Sequence, residues 1–340
     1  MRYFCTYFDS NYLPRALALY HSLRRQCPHF TLWALCMDQG AHQALAAMAL
    51  PGIELIALEE FERGDEELCA AKGNRSRVEY YFTCTPSLAL YVLRANPEVE
   101  LITYLDADLF FFADPEPLFQ ELGDASVGII AHRFPPAMRD GERFGVYNVG
   151  YLSFRRDAQG LACLGWWRER CNEWCYDRVE EGRFADQKYL DDWPERFPGT
   201  VVLAHPGANV APWNIMGGKL DITGSHITVD GAPLIFYHFH GLRQAGPWLY
   251  DPNLDEYGVQ ASHTLIERVY MPYIRELQQV RPAGSLERNR TKRHWMPDIL
   301  RRVGRLALMV RGLLGRRYMV VRDGSLVYAG RVLPPEREQL

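Results

Sequence analysis

Two aspartates, Asp106 and Asp108, stand one residue apart in the stretch YLDADLFFF, directly after an apolar run. Two carboxylates on one short turn offer oxygen ligands, which Mg²⁺ and Mn²⁺ prefer, and Mn²⁺ also accepts an imidazole. His238 and His240 end a second apolar run, PLIFYHFH, and are candidates for that third ligand. The alternatives are a polar end to a buried strand for the aspartates and a hydrogen-bonded core residue for the histidine. The residue types alone leave both interpretations open.

The apolar runs around these residues alternate with helical patterns. A repeat of apolar residues at helical spacing predicts a helix from Leu13 to about Arg25, and helical patterns also cover 86–94 and 161–179. The apolar runs predict strands at 3–8, 31–37, 53–58, 100–105, 127–131, 146–154, 201–205 and 233–240. Nearly continuous apolar strands between helices indicate a mainly parallel α/β sheet covered on both faces. Ligands bind such sheets beyond the carboxyl ends of their strands, where Asp106 and Asp108 are expected.

The composition fits a soluble globular protein. The chain has 340 residues, of which 48% are hydrophobic and 24% are charged. We expect an intracellular protein, because no apolar run reaches membrane-spanning length and the N-terminal residues lack a signal-peptide pattern. The eight cysteines lack the C-x2-C spacing of a zinc knuckle, and we expect them to be reduced thiols.

The last sixty residues carry a charge opposite to that of the rest. From Arg281 onward there are 14 Lys and Arg against 5 Asp and Glu, whereas the whole chain has a net charge of -4. We therefore expect a catalytic domain over 1–280 and a basic extension over 281–340. Within the extension, 296–317 has the pattern of a basic amphipathic helix, and 318–330 that of a small hairpin turned at Asp323-Gly324. The helix suits an anionic membrane surface, or packing against the catalytic domain or a second copy of the chain; no nucleic-acid motif is present.

Five sequence blocks in one order carry a resemblance to a known family. The blocks are FCTYFDSNYLPRALALYHSL, YLDAD, YNVGYLSF, FADQKYL and HFHG followed by GPW, and together they span about residues 2–248. This order resembles the GT-A glycosyltransferases of family 8, the group similar to glycogenin and lipooligosaccharide galactosyltransferases. The resemblance implies a Rossmann-like, mainly parallel mixed sheet. It also implies transfer of a sugar from a nucleotide donor, with a UDP-sugar expected, to a saccharide or lipid-linked acceptor, with retention of configuration.

The resemblance implies a metal site of Asp106, Asp108 and His238. These residues are expected to hold Mn²⁺ or Mg²⁺ against the donor diphosphate, with Asp106 shared with the ribose and His240 as the alternative ligand. The family pattern H-F-x-G-x-x-K-P-W has a lysine that this chain lacks, and Arg243 is the nearest cation. We therefore expect Arg243 to contact the diphosphate.

Further roles follow from the other matched blocks. The resemblance places Asp186 and Gln187 beside the anomeric carbon as catalytic residues. Donor-binding roles fall on Thr6, Phe8, Asp9, Tyr12, Arg75, Arg77 and Asn148, and acceptor-binding roles on Asn209 and Trp213. The competing interpretations are that Asp9 and Asp186 cap helices and that Arg75 and Arg77 lie in a solvated charged loop.

Two other functions compete with sugar transfer. A sugar-nucleotide nucleotidyltransferase uses a similar sheet and a carboxylate-bound metal, but it carries a Gly-rich basic loop after the first strand. This chain has FDSNYLPR there. A non-catalytic sugar-binding protein would not need Asp106, Asp108, His238 and Asp186 together. The sequence therefore favours a glycosyltransferase that is cytoplasmic or peripheral to the inner face of the membrane.

Overall fold

A computed structural model describes residues 1–224, 226–280, 319–322, 325–328 and 331–333. The chain divides into two compact units, Met1–His238 and Phe239–Leu340. The expected domain boundary at residue 280 stays a prediction. The predicted amphipathic helix at 296–317 and the turn at Asp323-Gly324 lie outside the described residues.

The first unit is built on a seven-stranded mixed sheet. Its strands, in chain order and omitting those of smaller sheets, are β1 (Arg2–Phe8), β2 (Phe30–Cys36), β3 (Ile53–Ala57), β4 (Leu101–Leu105), β6 (Val127–Ala131), β7 (Tyr147–Arg155) and β8 (Thr200–Leu203). The strand order is β3-β2-β1-β4-β7-β6-β8. Every neighbouring pair is parallel except the two made by β7, which runs antiparallel to β4 and β6. The predicted α/β class, with a mainly parallel mixed sheet, is confirmed.

The helices of the first unit are α1 (Leu13–Gln26), α2 (Gln39–Met48), α3 (Leu58–Phe61), α4 (Glu66–Lys72), α5 (Arg77–Ala95), α6 (Glu116–Leu122), α7 (Ala158–Glu173) and α8 (Trp193–Arg196). Helical segments of the 3₁₀ type cover Pro136–Phe144, Lys188–Asp192 and Ile215–Gly217. Arg77, one of the two arginines of the expected charged loop, is instead the first residue of α5. The N-cap Asp65 accepts a hydrogen bond from Leu68 N, and Ser76 and Glu79 form a capping box that starts α5.

Apolar side chains cover both faces of the main sheet. One buried cluster joins the sheet to α5 and α7, and it includes Trp167 and Trp193, whose rings meet edge to face. The second joins the opposite face to α1 and α6. Trp167 is fully buried, as expected for a core tryptophan. The two clusters fix the direction in which β4 delivers the residues that follow it.

His238 lies on a strand whose length and direction differ from the prediction. The run 233–240 was expected to be one strand of a mainly parallel sheet. Instead, β12 (Phe236–His238) has three residues and pairs antiparallel with β5 (Leu109–Phe111), so that His238 lies opposite Leu109. The difference has a physical reason: β5 begins directly after the aspartates and lies outside the seven-stranded sheet, so its edge can pair with the incoming chain.

The antiparallel pair of β5 and β12 forms a two-stranded ribbon, and a loop before β12 holds this β5–β12 ribbon in place. The N–H of Ile235 donates to Gly207 O over 2.8 Å, and the N–H of His238 donates to Val210 O over 2.8 Å. The backbone that carries His238 is therefore bonded on both of its edges.

A separate three-stranded antiparallel sheet contains β9 (Leu220–Thr223), β10 (His226–Val229) and β11 (Ala232–Pro233).

The second unit contains a five-stranded antiparallel sheet in the order β13-β14-β15-β16-β17. Its strands are β13 (Arg243–Gly246), β14 (Leu249–Asp251), β15 (Met319–Arg322), β16 (Ser325–Tyr328) and β17 (Arg331–Leu333). β15 and β16 pair antiparallel within the segment that was predicted to form a hairpin. The helical segments are Leu254–Tyr257 (3₁₀), Leu265–Tyr270 (π) and α9 (Met271–Gln279). Among the described residues, no helix has the length and apolar character needed to cross a membrane.

Gly207 tests the support of the ribbon. A Cβ at this position would lie 1.9 Å from Pro233 O, a backbone atom that cannot rotate away. Gly207→Ala should therefore lower the free energy of unfolding by about 1–3 kcal/mol, the usual cost of overpacking. Urea denaturation measures this change. The control is Gly165→Ala within α7, where nothing lies within 4 Å of the new Cβ; it should gain up to about 1 kcal/mol. Equal stability of the two variants would contradict the prediction.

Candidate functional site

The turn between β4 and β5 brings three potential metal ligands together. Asp106 and Asp108 lie on this turn, and β12 places His238 beside them. The Nε2 atom of His238 lies 3.1 Å from Asp108 Oδ1 and 3.6 Å from Asp106 Oδ2. Among the described residues, these three form the group whose ligand atoms all lie within 4.8 Å of one another. The structure thus joins residues that are more than a hundred positions apart in the chain.

The donor set suits a hard divalent cation. Two ligands at right angles around an octahedral ion, each about 2.1 Å from it, lie about 3 Å apart, close to the spacings between His238 and the carboxylates. Two carboxylates and an imidazole match the preferences of Mn²⁺ or Mg²⁺. The residues therefore fit the expected metal.

Burial leaves the charges of this group poorly solvated. Burial raises the pKa of Asp106, opposed by His238. For His238, burial lowers the pKa, but the neighbouring charges of Asp108 and Asp106 outweigh burial and raise it overall. The hydroxyl of Tyr104 donates to Asp106 Oδ1 over 2.8 Å, which leaves Oδ2 on the side of His238. A bound cation would balance the two carboxylates in place of a proton on the imidazole.

The sequence offered His240 as an alternative ligand and Arg243 as a diphosphate contact. His240 is exposed, and its ring lies 6.4 Å from that of Tyr257. Arg243 is exposed on β13. Both residues belong to the second unit, and it is His238 that joins the aspartates.

Asp186 is a buried carboxylate at the end of a chain of hydroxyl groups. Thr85 Oγ1 donates to Asp186 Oδ2 over 2.8 Å, and the Tyr7 hydroxyl lies 3.3 Å from Thr85 Oγ1. The hydroxyls of Tyr7 and Tyr104 are close enough to affect each other's pKa, and Tyr104 continues to Asp106. Burial raises the pKa of Asp186 to about 7, and the charge of Asp106 adds to the rise.

The helix-cap interpretation of Asp186 does not describe its contacts. The 3₁₀ segment that follows has Gln187 as its N-cap, with no side-chain capping bond. The carboxylate of Asp186 instead accepts from Thr85, and its backbone oxygen accepts from Trp167 Nε1 over 2.8 Å. Asp186 is thus fixed by α5 and α7 on one face of the sheet.

Asn148 and Gln187 form an amide pair next to the metal ligands. Asn148 Nδ2 donates to Gln187 Oε1 over 3.3 Å, and Asn148 Oδ1 accepts from Gly150 N over 3.1 Å. The other end of Gln187 donates from Nε2 to Phe144 O over 3.0 Å. His132, which the sequence analysis did not single out, also contacts Asn148, with 3.2 Å between its Nε2 and Asn148 Nδ2.

Gly150 makes room for the metal ligand. A Cβ there would lie 2.7 Å from Asn148 Oδ1 and 2.9 Å from His238 Cε1. The backbone oxygen of Gly150 accepts from Asp106 N over 3.0 Å. The amide pair and the metal ligands are therefore packed against one residue that has no side chain.

The first strand ends in a group of polar and aromatic residues. Thr6 and Phe8 are buried, whereas Tyr12 is 44% exposed. Asp9 Oδ1 accepts from Asn11 N over 3.0 Å and from Tyr12 N over 3.2 Å. The N-cap of α1 is Tyr12, without a side-chain capping bond, so Asp9 bonds the backbone that leads into the helix.

The two arginines of the predicted loop have different environments. A guanidinium nitrogen of Arg77 lies 3.6 Å from Asp9 Oδ2, which places Arg77 with the first-strand group. Arg75 donates to Asn172 O over 3.2 Å and lies over the Tyr176 ring at 4.0 Å. The structure therefore associates Arg77 with Asp9, and Arg75 with the end of α7.

The predicted acceptor residues are both buried. Asn209 is 1% exposed and Trp213 is 4% exposed. The Trp213 ring meets His238 edge to face at 5.2 Å, and its Nε1 donates to His132 O over 3.1 Å. Asn209 Nδ2 donates to Ala131 O over 3.4 Å. Trp213 thus packs behind the metal ligand.

The comparison with known proteins decides the family. No family model matches the chain. The chain is 38% identical over 248 residues to the uncharacterized protein YfnF of Bacillus subtilis strain 168, which covers 71% of this chain and 81% of YfnF. The chain belongs to the YfnF family. YfnD of the same organism, also described as uncharacterized, is 33% identical over 280 residues, which covers 82% of this chain and 89% of YfnD.

Solved structures similar to this YfnF family member include three glycosyltransferases. One is the galactosyltransferase LgtC in complex with donor and acceptor sugar analogs, at 16% identity and a TM-score of 0.49, covering 89% of this chain and 99% of LgtC. Another is mouse xyloside xylosyltransferase 1, at 14% identity and a TM-score of 0.45, covering 71% and 98%. The third is GlyE of Streptococcus pneumoniae TIGR4, at 16% identity and a TM-score of 0.43, covering 82% and 62%.

Gly150→Ala should weaken metal binding. The new methyl group would displace the His238 ring or the Asn148 amide, and changes next to metal ligands commonly cost about 10–100-fold in affinity. Isothermal titration with Mn²⁺ measures the loss. Gly165→Ala, remote in α7, is the control and should bind Mn²⁺ as the unmodified protein does. Unchanged affinity in Gly150→Ala would show that His238 does not need this space.

Asp186→Asn should change how stability depends on pH. The native pKa of about 7 lies above the ordinary aspartate pKa of 3.8, so the buried carboxylate favours folding when protonated and opposes it as pH rises through 7. Relative to the unmodified protein, Asp186→Asn should gain up to about 4 kcal/mol of unfolding free energy between pH 4 and pH 8.5. Urea denaturation in EDTA measures this difference. The exposed Asp124→Asn should show no such trend, and an equal trend in both would contradict the prediction.

Proposed function

We propose that this protein is a metal-dependent glycosyltransferase. It moves a sugar from a nucleotide-diphosphate donor, with a UDP-sugar favoured, to a saccharide or lipid-linked acceptor. The observation that carries the proposal is the cluster of Asp106, Asp108 and His238 beside the amide pair Asn148 and Gln187. The GT-A resemblance of the sequence supports it, and retention of configuration rests on that resemblance alone.

The metal ligands would be Asp106 Oδ2, Asp108 Oδ1 and His238 Nε2. A bound Mn²⁺ or Mg²⁺ would supply a Lewis acid that stabilises the charge of the departing diphosphate. The protein's own contribution is orientation, because Tyr104 holds the other oxygen of Asp106 and the β5–β12 ribbon holds the His238 backbone. A preformed ligand set avoids reorganisation when the donor binds.

The first-strand group suits the nucleoside part of the donor. The exposed ring of Tyr12 offers a stacking face, and the guanidinium of Arg15 lies over that ring at 4.4 Å. Asp9 could accept hydrogen bonds from N–H groups of the base or from hydroxyls of the ribose. The side chain of Arg77 is 69% exposed and offers a cation beside it. Thr6 and Phe8 shape the strand beneath them. Arg75 and Arg243 complete the proposed donor contacts, although the structure ties Arg75 to the end of α7.

Asp186 and Gln187 suit the reacting end of the sugar. Burial raises the pKa of Asp186 to about 7, against the opposing effect of the hydrogen bond from Thr85, so a nearby cation would favour its ionised form. An ionised Asp186 would stabilise positive charge that develops on the sugar ring or orient the donor hydroxyls. Gln187 would position the sugar through its amide.

The acceptor side is assigned to Asn209 and Trp213. Because both are buried, they would shape that side from behind rather than by exposing a ring to the acceptor: Trp213 contacts His132 and His238, and Asn209 bonds Ala131 O. The basic segment 296–317 would bring the enzyme to an anionic membrane surface on the cytoplasmic side. A lipid-linked acceptor would be presented at such a surface.

The test is turnover of a panel of nucleotide sugars with Mn²⁺. We expect one UDP-sugar to raise the melting temperature and to be hydrolysed slowly without an acceptor. Asp108→Asn should lower kcat by roughly 100-fold or more, because a catalytic metal supplies several kcal/mol of transition-state stabilisation. The exposed Asp124→Asn is the matched control and should keep full activity.

Three results would contradict the proposal. They are the absence of binding to any nucleotide sugar, activity that does not change in EDTA, and the release of pyrophosphate from UTP and a sugar 1-phosphate. The last result would identify a nucleotidyltransferase instead.

A further inference from the structure

His132 lies where β6 ends, and its surroundings fix its ring. The ring is stacked on Phe134, with 4.8 Å between ring centres and 10° between the planes. The edge of Trp213 meets it at 5.2 Å, and the residue is 5% exposed. A ring held in this way presents its two nitrogen atoms to fixed partners.

Those partners decide which nitrogen carries the proton. Nδ1 lies 3.2 Å from the backbone oxygen of Val146, which also accepts from His132 N over 2.9 Å. A carbonyl oxygen can only accept, so Nδ1 must be the donor. In the neutral imidazole the other nitrogen, Nε2, is then an acceptor, and Asn148 Nδ2 lies 3.2 Å from it.

Matching donors with acceptors also fixes the orientation of the side-chain amides of Asn148 and Gln187. Asn148 turns Nδ2 toward His132 and Gln187 Oε1, and its Oδ1 accepts from Gly150 N. Gln187 Nε2 in turn donates to Phe144 O. Every pair along this series matches a donor with an acceptor. With the proton on Nε2 instead, two N–H groups would face each other, and Asn148 would have to turn its amide over.

We propose that His132 is a positioning residue whose Nδ1–H tautomer sets the amide orientation of Asn148 and Gln187 for the donor sugar. This inference rests on the proposed function. The amide of Gln187 keeps a second N–H and a second lone pair, which match a sugar hydroxyl as acceptor and donor. The hydrogen-bonded series also extends from Asn148 to Gly150, whose backbone oxygen accepts from the N–H of the metal ligand Asp106.

The tautomer can be measured without any activity. Long-range ¹H–¹⁵N spectra of ¹⁵N-histidine-labelled protein at pH 8 distinguish the two tautomers, and the His132 signal is identified by its loss in His132→Gln. His205 is an internal control, because its Nδ1 accepts from Gly207 N over 3.1 Å and so requires the proton on Nε2. We expect opposite tautomers at the two residues. A proton on Nε2 of His132 would overturn the proposal.

Two variants separate positioning from simple packing. His132→Phe keeps an aromatic ring against Phe134 but removes the acceptor for Asn148, and His132→Gln restores an acceptor in a different shape. With the donor found in the panel, His132→Phe should lower kcat by about tenfold or more, since a misplacement of about 1 Å can cost 10²-fold. Its affinity for Mn²⁺ should stay within about twofold of that of the unmodified protein, and His132→Gln should recover most of kcat.

The outcomes are distinguishable. Unchanged kcat in His132→Phe, or no recovery in His132→Gln, would overturn the positioning role. If no nucleotide sugar is turned over, the proposed function fails. The amide orientation of Asn148 and Gln187 is then still decided by two spectroscopic measurements, the tautomer of His132 and the side-chain amide resonances of Asn148 and Gln187. If His132→Phe does not fold, His132→Gln and the spectra of the unmodified protein serve in its place.

Discussion

The antiparallel pairing of β5 with β12 is the contact on which the site depends. It places His238 opposite Leu109, the residue after Asp108, and so turns a local pair of carboxylates into a three-ligand cluster. The backbone bonds to Gly207 and Val210 hold the other edge of β12. Without this ribbon, the aspartates would be an ordinary polar end to a buried strand.

The interior of the site is organised by hydrogen bonds between its polar groups. Asp186 is a buried acid and Asp106 a partly buried one, and the hydroxyls of Tyr104, Tyr7 and Thr85 lie between them. Burying two carboxylates is costly unless hydrogen bonds or a cation compensate them. These contacts supply the hydrogen bonds, and the proposed metal would add the cation.

Local sequence patterns were sufficient for the α/β class and for the positions of Asp106 and Asp108, since apolar strands and their ends are visible in a few residues. They failed where the partner was distant: the direction of β12 depends on the free edge of β5, which no local pattern encodes. Thr85 lies within a helix and gave no signal. His132 did give one, because it follows an apolar strand as Asp106 does, but a single histidine there resembles a core residue.

Gly150 has a consequence for the evolution of the YfnF family. Because a Cβ at this position would lie 2.9 Å from the imidazole of His238, a lineage that replaces the glycine must also move or abandon the histidine. The two positions should therefore vary together, although eighty-eight positions separate them in the chain. A relative that keeps the histidine but has a larger residue at this position would have to hold its imidazole elsewhere.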